Sequence, residues 1–434
     1  MPRENLHAKF TRNYVFFMII RDLFAPLTDL EALCRRFELD VRILHEIKTT
    51  RYLRGRTPVL KLGNIDLAWE YARDTRDHAR FVDMLRVSPQ VFDVILYFIH
   101  DHPVFYNNSN NPQAPVQTQL AVTLYRMGRY GNGASVKDIA RIAGISEGSV
   151  DNYTEHCLVA IESLHDIFVR KLTPEEKEVE KKWMDEHLGF VGSWRDGWVM
   201  YDGTIVVLYA KPGLHGDAYY TRKANYGLNV QASTCLCCLL AVELIFCMQI
   251  GNVASNLRIV DYSHGMTGSA HDSAAFAHTG AAKYPDWFFD GEEFAWADSA
   301  YTVNSRTIPV HKQPASSIYE NTLFDGVVSH LRVRSEHCIG VLKGRFQCLR
   351  GLRVNINSNK DHVDALRWIT AAIILHNLII DVEGHDHTQD LLPRHGRDEE
   401  AEDRGPRHAP MYQENDNDAK RRQLVMELVA YKCM

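Results

Sequence analysis

The spacing of apolar residues changes character near Trp198, and that change limits the folds open to this chain. Upstream, from Phe81 to Lys171, apolar residues recur at intervals of three and four, the period of helices with one buried face. Downstream they come in short runs bounded by breakers. These are Trp198-Val199-Met200-Tyr201, Ile205-Val206-Val207-Leu208-Tyr209, Gly227-Leu228-Asn229-Val230-Gln231-Ala232, Leu257-Arg258-Ile259-Val260-Asp261-Tyr262 and Phe294-Ala295-Trp296-Ala297. Runs of that length read as strands. Helical spacing returns near 334–346 and 363–380. Strands followed by mixed helices predict an α/β layer fold behind an all-α N-terminal region.

The same patterning divides the 434 residues into five stretches. Residues 1–85 read as an N-terminal helical region and 86–172 as a helical domain. Residues 173–193 form a linker helix, 194–382 the α/β domain, and 383–434 a mostly disordered tail. The tail contains the charged run Arg397-Asp398-Glu399-Glu400-Ala401-Glu402-Asp403-Arg404. In the linker, Thr173 can cap a helix whose first residue is Pro174 and whose third is Glu176. Within the helical domain, Ser135 can cap a helix that ends at Gly144, and Ser146 can cap a second. The second would bury Val150, Cys157, Leu158 and Ile161 on one face, a helix-turn-helix-like pair. Its exposed start carries Glu147, Asp151 and Glu155, which repel phosphate, so a structural or protein-contact role is expected ahead of base reading.

Hydrophobic content of 45% and charged content of 24% suit a globular core. The net charge of -6 offers no global attraction for nucleic acid, so any such surface must be local. Nine scattered cysteines with no signal peptide ahead of them point to a reducing, intracellular compartment. The apolar stretch Thr234–Ile250 is shorter than a membrane span and has Glu243 at its middle. Its Cys235, Cys237, Cys238 and Cys247 lack the paired spacing of a structural zinc site.

Three acids stand where strand or helix patterns meet a break. Asp202 follows Val199-Met200-Tyr201, Asp298 follows Phe294-Ala295-Trp296-Ala297, and Glu336 opens the helical stretch Arg334–Phe346. Taken singly, each reads as a surface or turn acid. Carboxylates at strand ends are also held by rigid backbone while facing a cleft, which is what hard-cation binding asks for. Two such cations can activate water and stabilise the leaving oxygen of a phosphodiester. In the last helix Ile339, Leu342 and Phe346 form an apolar stripe, and Lys343 lies two turns from Glu336 on another face. The segment is basic, with Arg332, Arg334, Lys343, Arg345, Arg350 and Arg353, as a phosphate-holding patch or a solvated face would be.

Further blocks make the pattern more specific. Val199-Met200-Tyr201-Asp202-Gly203-Thr204 is followed by Tyr220-Thr221-Arg222-Lys223 and Tyr226-Gly227-Leu228-Asn229-Val230-Gln231. Then come Gly268-Ser269-Ala270-His271-Asp272-Ser273, Ala297-Asp298-Ser299-Ala300-Tyr301, Arg334-Ser335-Glu336-His337 with Gly340-Val341-Leu342-Lys343-Gly344-Arg345-Phe346, and Leu375-His376-Asn377. In this order the blocks resemble Harbinger-type DDE transposases, in the version of the fungal branch. The resemblance implies an RNase H-like core, with Asp202, Asp298 and Glu336 holding two divalent ions, magnesium or manganese. Asp272 is either a further ligand or a helix cap. Arg222, Lys223, Lys343 and Arg345 are expected to contact phosphates.

The implied activity is cutting of DNA strands followed by joining of the freed 3′ ends to target DNA. The implied partners are transposon ends, target DNA and a Myb/SANT-like protein, with room for a homo-oligomer and none for a membrane, and the implied compartment is the nucleus. The alternative is a host-recruited or decayed copy that binds DNA or a partner without cleavage. One departure stands out. The family's short strand connection is replaced here by Thr234–Ile250, surplus apolar residues with no evident place to pack, which reads as translated intron.

Overall fold

The computed structural model of the protein describes residues 5–27, 29–50, 63–107, 109–213, 227–228, 248–263, 276–384 and 418–433. The chain divides into two compact units, residues 1–60 and 61–434. The boundary therefore falls earlier than the expected one at residue 85: Ile65, Ala68, Phe81 and Leu85 belong to the core of the larger unit.

The smaller unit is a pair of helices, α1 (Leu6–Phe24) and α2 (Leu30–Thr49), capped by Asn5 and Asp29. A polar clasp joins them. Arg21 donates to both oxygens of the buried Asp40, at 2.8 and 2.7 Å, and the Tyr14 hydroxyl donates to the same carboxylate at 2.9 Å. The apolar side chains Phe16, Phe17, Leu23, Phe24 and Phe37 remain exposed.

The larger unit is built on a five-stranded sheet: β1 (Val199–Thr204), β2 (Met248–Val253), β3 (Ile259–Ser263), β4 (Ala295–Ala297) and β5 (Thr307–Pro309). The order is β3-β2-β1-β4-β5. β1 runs antiparallel to β2, and β2 to β3, whereas β1 with β4 and β4 with β5 are parallel. This is the mixed sheet of an RNase H-like core, as expected. The short strands Val206–Val207 and Gly227–Leu228 pair in a separate ribbon. The rest of the strand expected over 227–232 lies outside the described residues, as do the four cysteines weighed for zinc and most of Thr234–Ile250. The described end of that apolar stretch is not surplus. Met248, Gln249 and Ile250 form the start of β2, opposite Thr204, Gly203 and Asp202.

Alternation along β1 feeds two cores. Val199 and Tyr201 join Trp198, Phe288 and Phe289 on one side. Met200 joins Trp194, Trp296, Phe324, Val328 and Leu331 on the other. A third core continues from the sheet into the helical domain through α8 (Asn359–Glu383), whose Ile369 and Ile373 share a cluster with Leu120, Leu124, Leu158 and Ile161. Helices α3 (Val116–Met127), α4 (Val136–Ala143) and α5 (Glu147–Glu162) make up the helix-turn-helix-like region. Its signals are realised: Ser135 and Ser146 cap, Gly144 takes φ 65°, and Val150, Cys157, Leu158 and Ile161 are buried. Glu147, Asp151 and Glu155 are exposed. Arg126 of α3 donates to Asp151 and Thr154, both at 3.0 Å, and lies 5.1 Å from the Trp368 ring centre of α8.

α6 (Pro174–Leu188) carries the full capping box between Thr173 and Glu176. α8 is long and apolar enough to cross a membrane, but 78% of its apolar window is buried inside the protein, as in a core helix. α9 (Ala419–Lys432) departs from the disordered-tail expectation. Leu424, Val425 and Leu428 are buried in the Met200 core, and the Trp194 indole donates to the Leu424 carbonyl at 3.0 Å. The i, i+4 spacing of Leu424 and Leu428 was the overlooked signal.

The Leu375-His376-Asn377 block has a structural role in α8. Asn377 accepts from the Ile259 N–H at 3.0 Å and donates to the Ile259 and Phe168 carbonyls at 2.7 and 2.9 Å. Its amide thus pairs with the outer edge of β3 like a further strand residue. His376 contacts the carbonyl of Leu257 at 2.9 Å, where the backbone turns through φ 64° between β2 and β3. Replacing Asn377 with Ala removes the partner of the Ile259 N–H and of the Ile259 carbonyl, while the Phe168 carbonyl keeps its bond from Arg258 at 3.0 Å. The substitution should cost about 3 kcal/mol in urea unfolding followed by circular dichroism; a loss below about 1 kcal/mol would show that the clamp is not needed. Burial pushes the His376 pKa down to about 4. The unfolded chain therefore binds this proton more tightly, near pH 6.5. The contribution is fully present above pH 6.5 and is lost as pH falls toward 4. His376→Gln should flatten that part of the Tm-against-pH curve.

Candidate active site

β1 and β4 lie side by side, with Met200 opposite Trp296. Both side chains face α7 (Tyr319–Arg345) through its Phe324, Val328 and Leu331. Asp202 and Asp298 come two residues later in each chain direction. The period of two puts Asp202 on the same sheet face as Met200, and continues the Trp296 direction to Asp298 just past the end of β4. The sheet pairing thus points two carboxylates toward one helix.

That helix is pinned to the sheet. The buried Ser335 hydroxyl donates to the Asn252 side chain at 2.9 Å. Arg334 donates to the Ala254 and Ser255 carbonyls, at 2.7 and 3.2 Å. Glu336 follows directly, rotated about 100° from Ser335, and is exposed. It lies past the middle of a 27-residue helix rather than at the start of one. The earlier turns escaped the sequence reading because Asn321, Thr322, Gly326 and Ser329 interrupt the apolar pattern.

Asp202 shows the electrostatic character of the place. Its side chain is 19% exposed, and its Oδ1 accepts from the Gly203 N–H at 3.0 Å and from Arg332 at 3.3 Å. Burial raises its pKa to about 7. The Arg332 charge and the Gly203 hydrogen bond oppose the rise, and the charges of Asp298 and Glu336 add to it. Asp202 therefore lies in the field of both other acids. Asp298 is oriented by the Ala300 N–H, which donates to its Oδ1 at 2.7 Å. Among the described residues, no three His, Cys, Asp or Glu side chains are close enough to hold one metal ion. The structure gathers the acids without closing a coordination shell. Their donor chemistry still fits a hard divalent cation, since all are oxygen ligands.

The basic residues divide. Lys343 donates to the Thr204 hydroxyl and, at 2.9 Å, to the Ile205 carbonyl, tying α7 to the end of β1. Arg345 is buried, with its guanidinium toward the Arg86 carbonyl at 3.4 Å and the Glu383 carboxylate at 3.8 Å. It is thereby removed from the phosphate-contact set. Nine residues after Glu336 on a helix is half a turn away, on the opposite face. Asp272, Arg222 and Lys223 lie outside the described residues. Arg332 was counted in the basic segment but given no role of its own. Its place four residues before Glu336, hence on the same helix face, was the available signal.

An Asp whose folded pKa is raised favours folding at low pH, and this contribution is lost as pH rises through about 7. Asp202→Asn should therefore raise the Tm measured in EDTA at pH 8. It should also abolish any rise in Tm that magnesium or manganese gives the wild-type chain. A lower Tm in EDTA would show that the Asp202 charge is not held at a cost.

No curated protein and no solved structure shows significant similarity to the chain. Residues 201–377, from Tyr201 beside the first acid to Asn377 of the β3 clamp, match the family model of the DDE superfamily endonucleases.

Proposed function

We propose that the protein is a metal-dependent DNA endonuclease of the transposase kind, with Asp202, Asp298 and Glu336 as its acidic triad. The observation that carries this reading is the place of Asp202 within the field of Asp298 and Glu336, whose charges add to the rise that burial gives its pKa, inside the segment that matches DDE endonucleases. DDE superfamily nucleases generally use divalent metals and act on DNA. The three carboxylates would hold the metal, which we take to be two magnesium or manganese ions. Bound there, such ions supply water activation and stabilise the leaving oxygen of the phosphodiester.

The remaining work falls to the chain. The Gly203 and Ala300 N–H groups orient the two aspartates. Arg332 donates to Asp202, and its charge opposes the rise that burial gives the Asp202 pKa. Lys343 fixes the strand end from which Asp202 projects.

The ordered sequence blocks support the narrower Harbinger-type reading, in which freed 3′ ends are joined to target DNA in the nucleus. The acidic start of α5 favours delegation of DNA recognition to a Myb/SANT-like partner. The exposed Phe16, Phe17, Phe24 and Phe37 of the small helical unit offer that partner, or a second copy, an apolar surface. A second reading, a host-recruited or decayed protein that binds without cutting, is favoured by the open spacing of the acids.

Nicking of supercoiled plasmid by the full chain with magnesium or manganese distinguishes them. The wild-type chain should cut, and Asp298→Asn and Glu336→Gln should not. Equal cutting by wild type and variants would sink the triad. Absence of both cutting and metal binding would favour the second reading.

A further inference from the structure

The small N-terminal unit has no apolar core of its own. Among its described residues only Asp40 is buried. The seam between α1 and α2 is built from hydrogen bonds. His7 meets the Thr50 carbonyl at 2.9 Å, Tyr14 and Arg21 hold Asp40, and Arg36 donates to Asp22 and to the Ala25 carbonyl, at 2.9 and 3.0 Å. His7, Tyr14 and Arg21 recur every seven residues, so one face of α1 is given over to these contacts. The seam fixes the register of the two helices and leaves their apolar side chains outside. Leu30, Leu33, Phe37 and Val41 form an exposed line along α2. Val15, Ile19 and Leu23 form another along α1, with Phe16 beside it and Phe17 and Phe24 further round the helix.

Two helices without an apolar core gain too little from their own contacts to stay folded, so this surface needs a cover. Area and charge say which. Phe16, Phe17, Phe24 and Phe37 are 63, 54, 81 and 65% exposed. At about 150–250 Å² for each ring, they and the exposed aliphatic side chains offer roughly 1,000 Å² of apolar surface. Each partner in a stable protein interface contributes about 800 Å². Residues 5–50 carry seven Lys or Arg and six Asp or Glu, a net charge of +1 with His neutral. The polar face of α2 mixes signs, with Glu31, Arg35, Glu38 and Arg42 in succession. A nucleic acid or an anionic membrane selects a basic face instead. A second copy meets no such demand. It is not repelled by a nearly neutral unit, and it brings an equal area of uncovered apolar surface. We infer that the α1–α2 pair is a dimerisation element, two copies of which pack their apolar sides together as a four-helix bundle. The two-fold symmetry of such a bundle lets one patch serve both copies. The inference concerns the small unit alone and stands whether or not the chain cuts DNA.

The test is sedimentation of the full chain over a range of concentrations. The wild-type chain should run as a single species of twice the 49.7 kDa of one copy. It should stay so in about 1 M sodium chloride, which screens ion pairs and spares apolar contacts. Phe37→Ala should raise the dimer dissociation constant at least about tenfold, and Ile19→Glu should leave monomers. Arg42→Ala, on the polar face, should leave the dimer as it was. Circular dichroism melts check that the larger unit folds in every variant. A monomeric wild-type chain would overturn the inference and leave the surface to a different protein. A mass that climbs past two copies would overturn it as well. So would a dimer that dissociates in high salt, or one that survives both Phe37→Ala and Ile19→Glu, since its interface would then lie elsewhere.

Discussion

The pinning of one helix to the sheet governs the arrangement of this protein. Ser335 and Arg334 fasten α7 to the end of β2 through Asn252, Ala254 and Ser255. A helix hydrogen-bonded at that point cannot slide or roll without leaving buried polar groups unpaired, which is costly. Its rotation about its own axis is thereby set. Glu336 and Arg332 face the carboxyl end of β1, Arg345 faces the interior, and His330, Arg334 and His337 line a cavity bounded by α6 and α9. One anchoring point thus decides the role of each polar residue on the helix.

The acidic cluster is held against electrostatic preference. A carboxylate that is mostly buried and shares its field with two others resists ionisation, and the raised Asp202 pKa records that. The fold tolerates it because the apolar packing around it does not depend on Asp202. Met200 and Trp296 supply apolar packing immediately before the acids, and Lys343 closes the end of β1 just after Asp202. Arg332 provides a neighbouring positive charge. Rigid packing on one side and carboxylates on the other suit a functional site.

Stability and site are divided between the two long helices. α8 joins the helical domain to the sheet and seals the edge of β3 through Asn377. An uncovered edge strand would present unpaired backbone groups to other chains. The Leu375-His376-Asn377 block therefore belongs to the scaffold, although as a motif it is as conspicuous as the acids. The small N-terminal unit follows a different logic. It is joined by the Arg21–Asp40–Tyr14 clasp and leaves its large apolar residues exposed.

Local chemistry was legible in the amino-acid order. The caps at Ser135, Ser146 and Thr173, the turn at Gly144, the strands leading to Asp202 and Asp298, and the burial of Val150, Cys157, Leu158 and Ile161 all follow from spacings of a few residues. Such features depend on hydrogen bonds and periodicity within a single element, so the residues that create them are adjacent in the chain. What depends on distant partners was not legible. Arg345 and Lys343 are both basic and two residues apart, yet one is buried toward Glu383 and the other ties down a strand end. The start of β2 looked like surplus chain, and α9 looked like tail. Each outcome was decided by a surface contributed from far along the sequence: β1 for Met248–Ile250, the Trp194 core for Leu424 and Leu428, the sheet for the rotation of α7. Sequence determined which elements form and which acids end them, because those are short-range properties. Tertiary structure alone decided which charges meet, because that follows from the register and rotation of elements that touch only after folding.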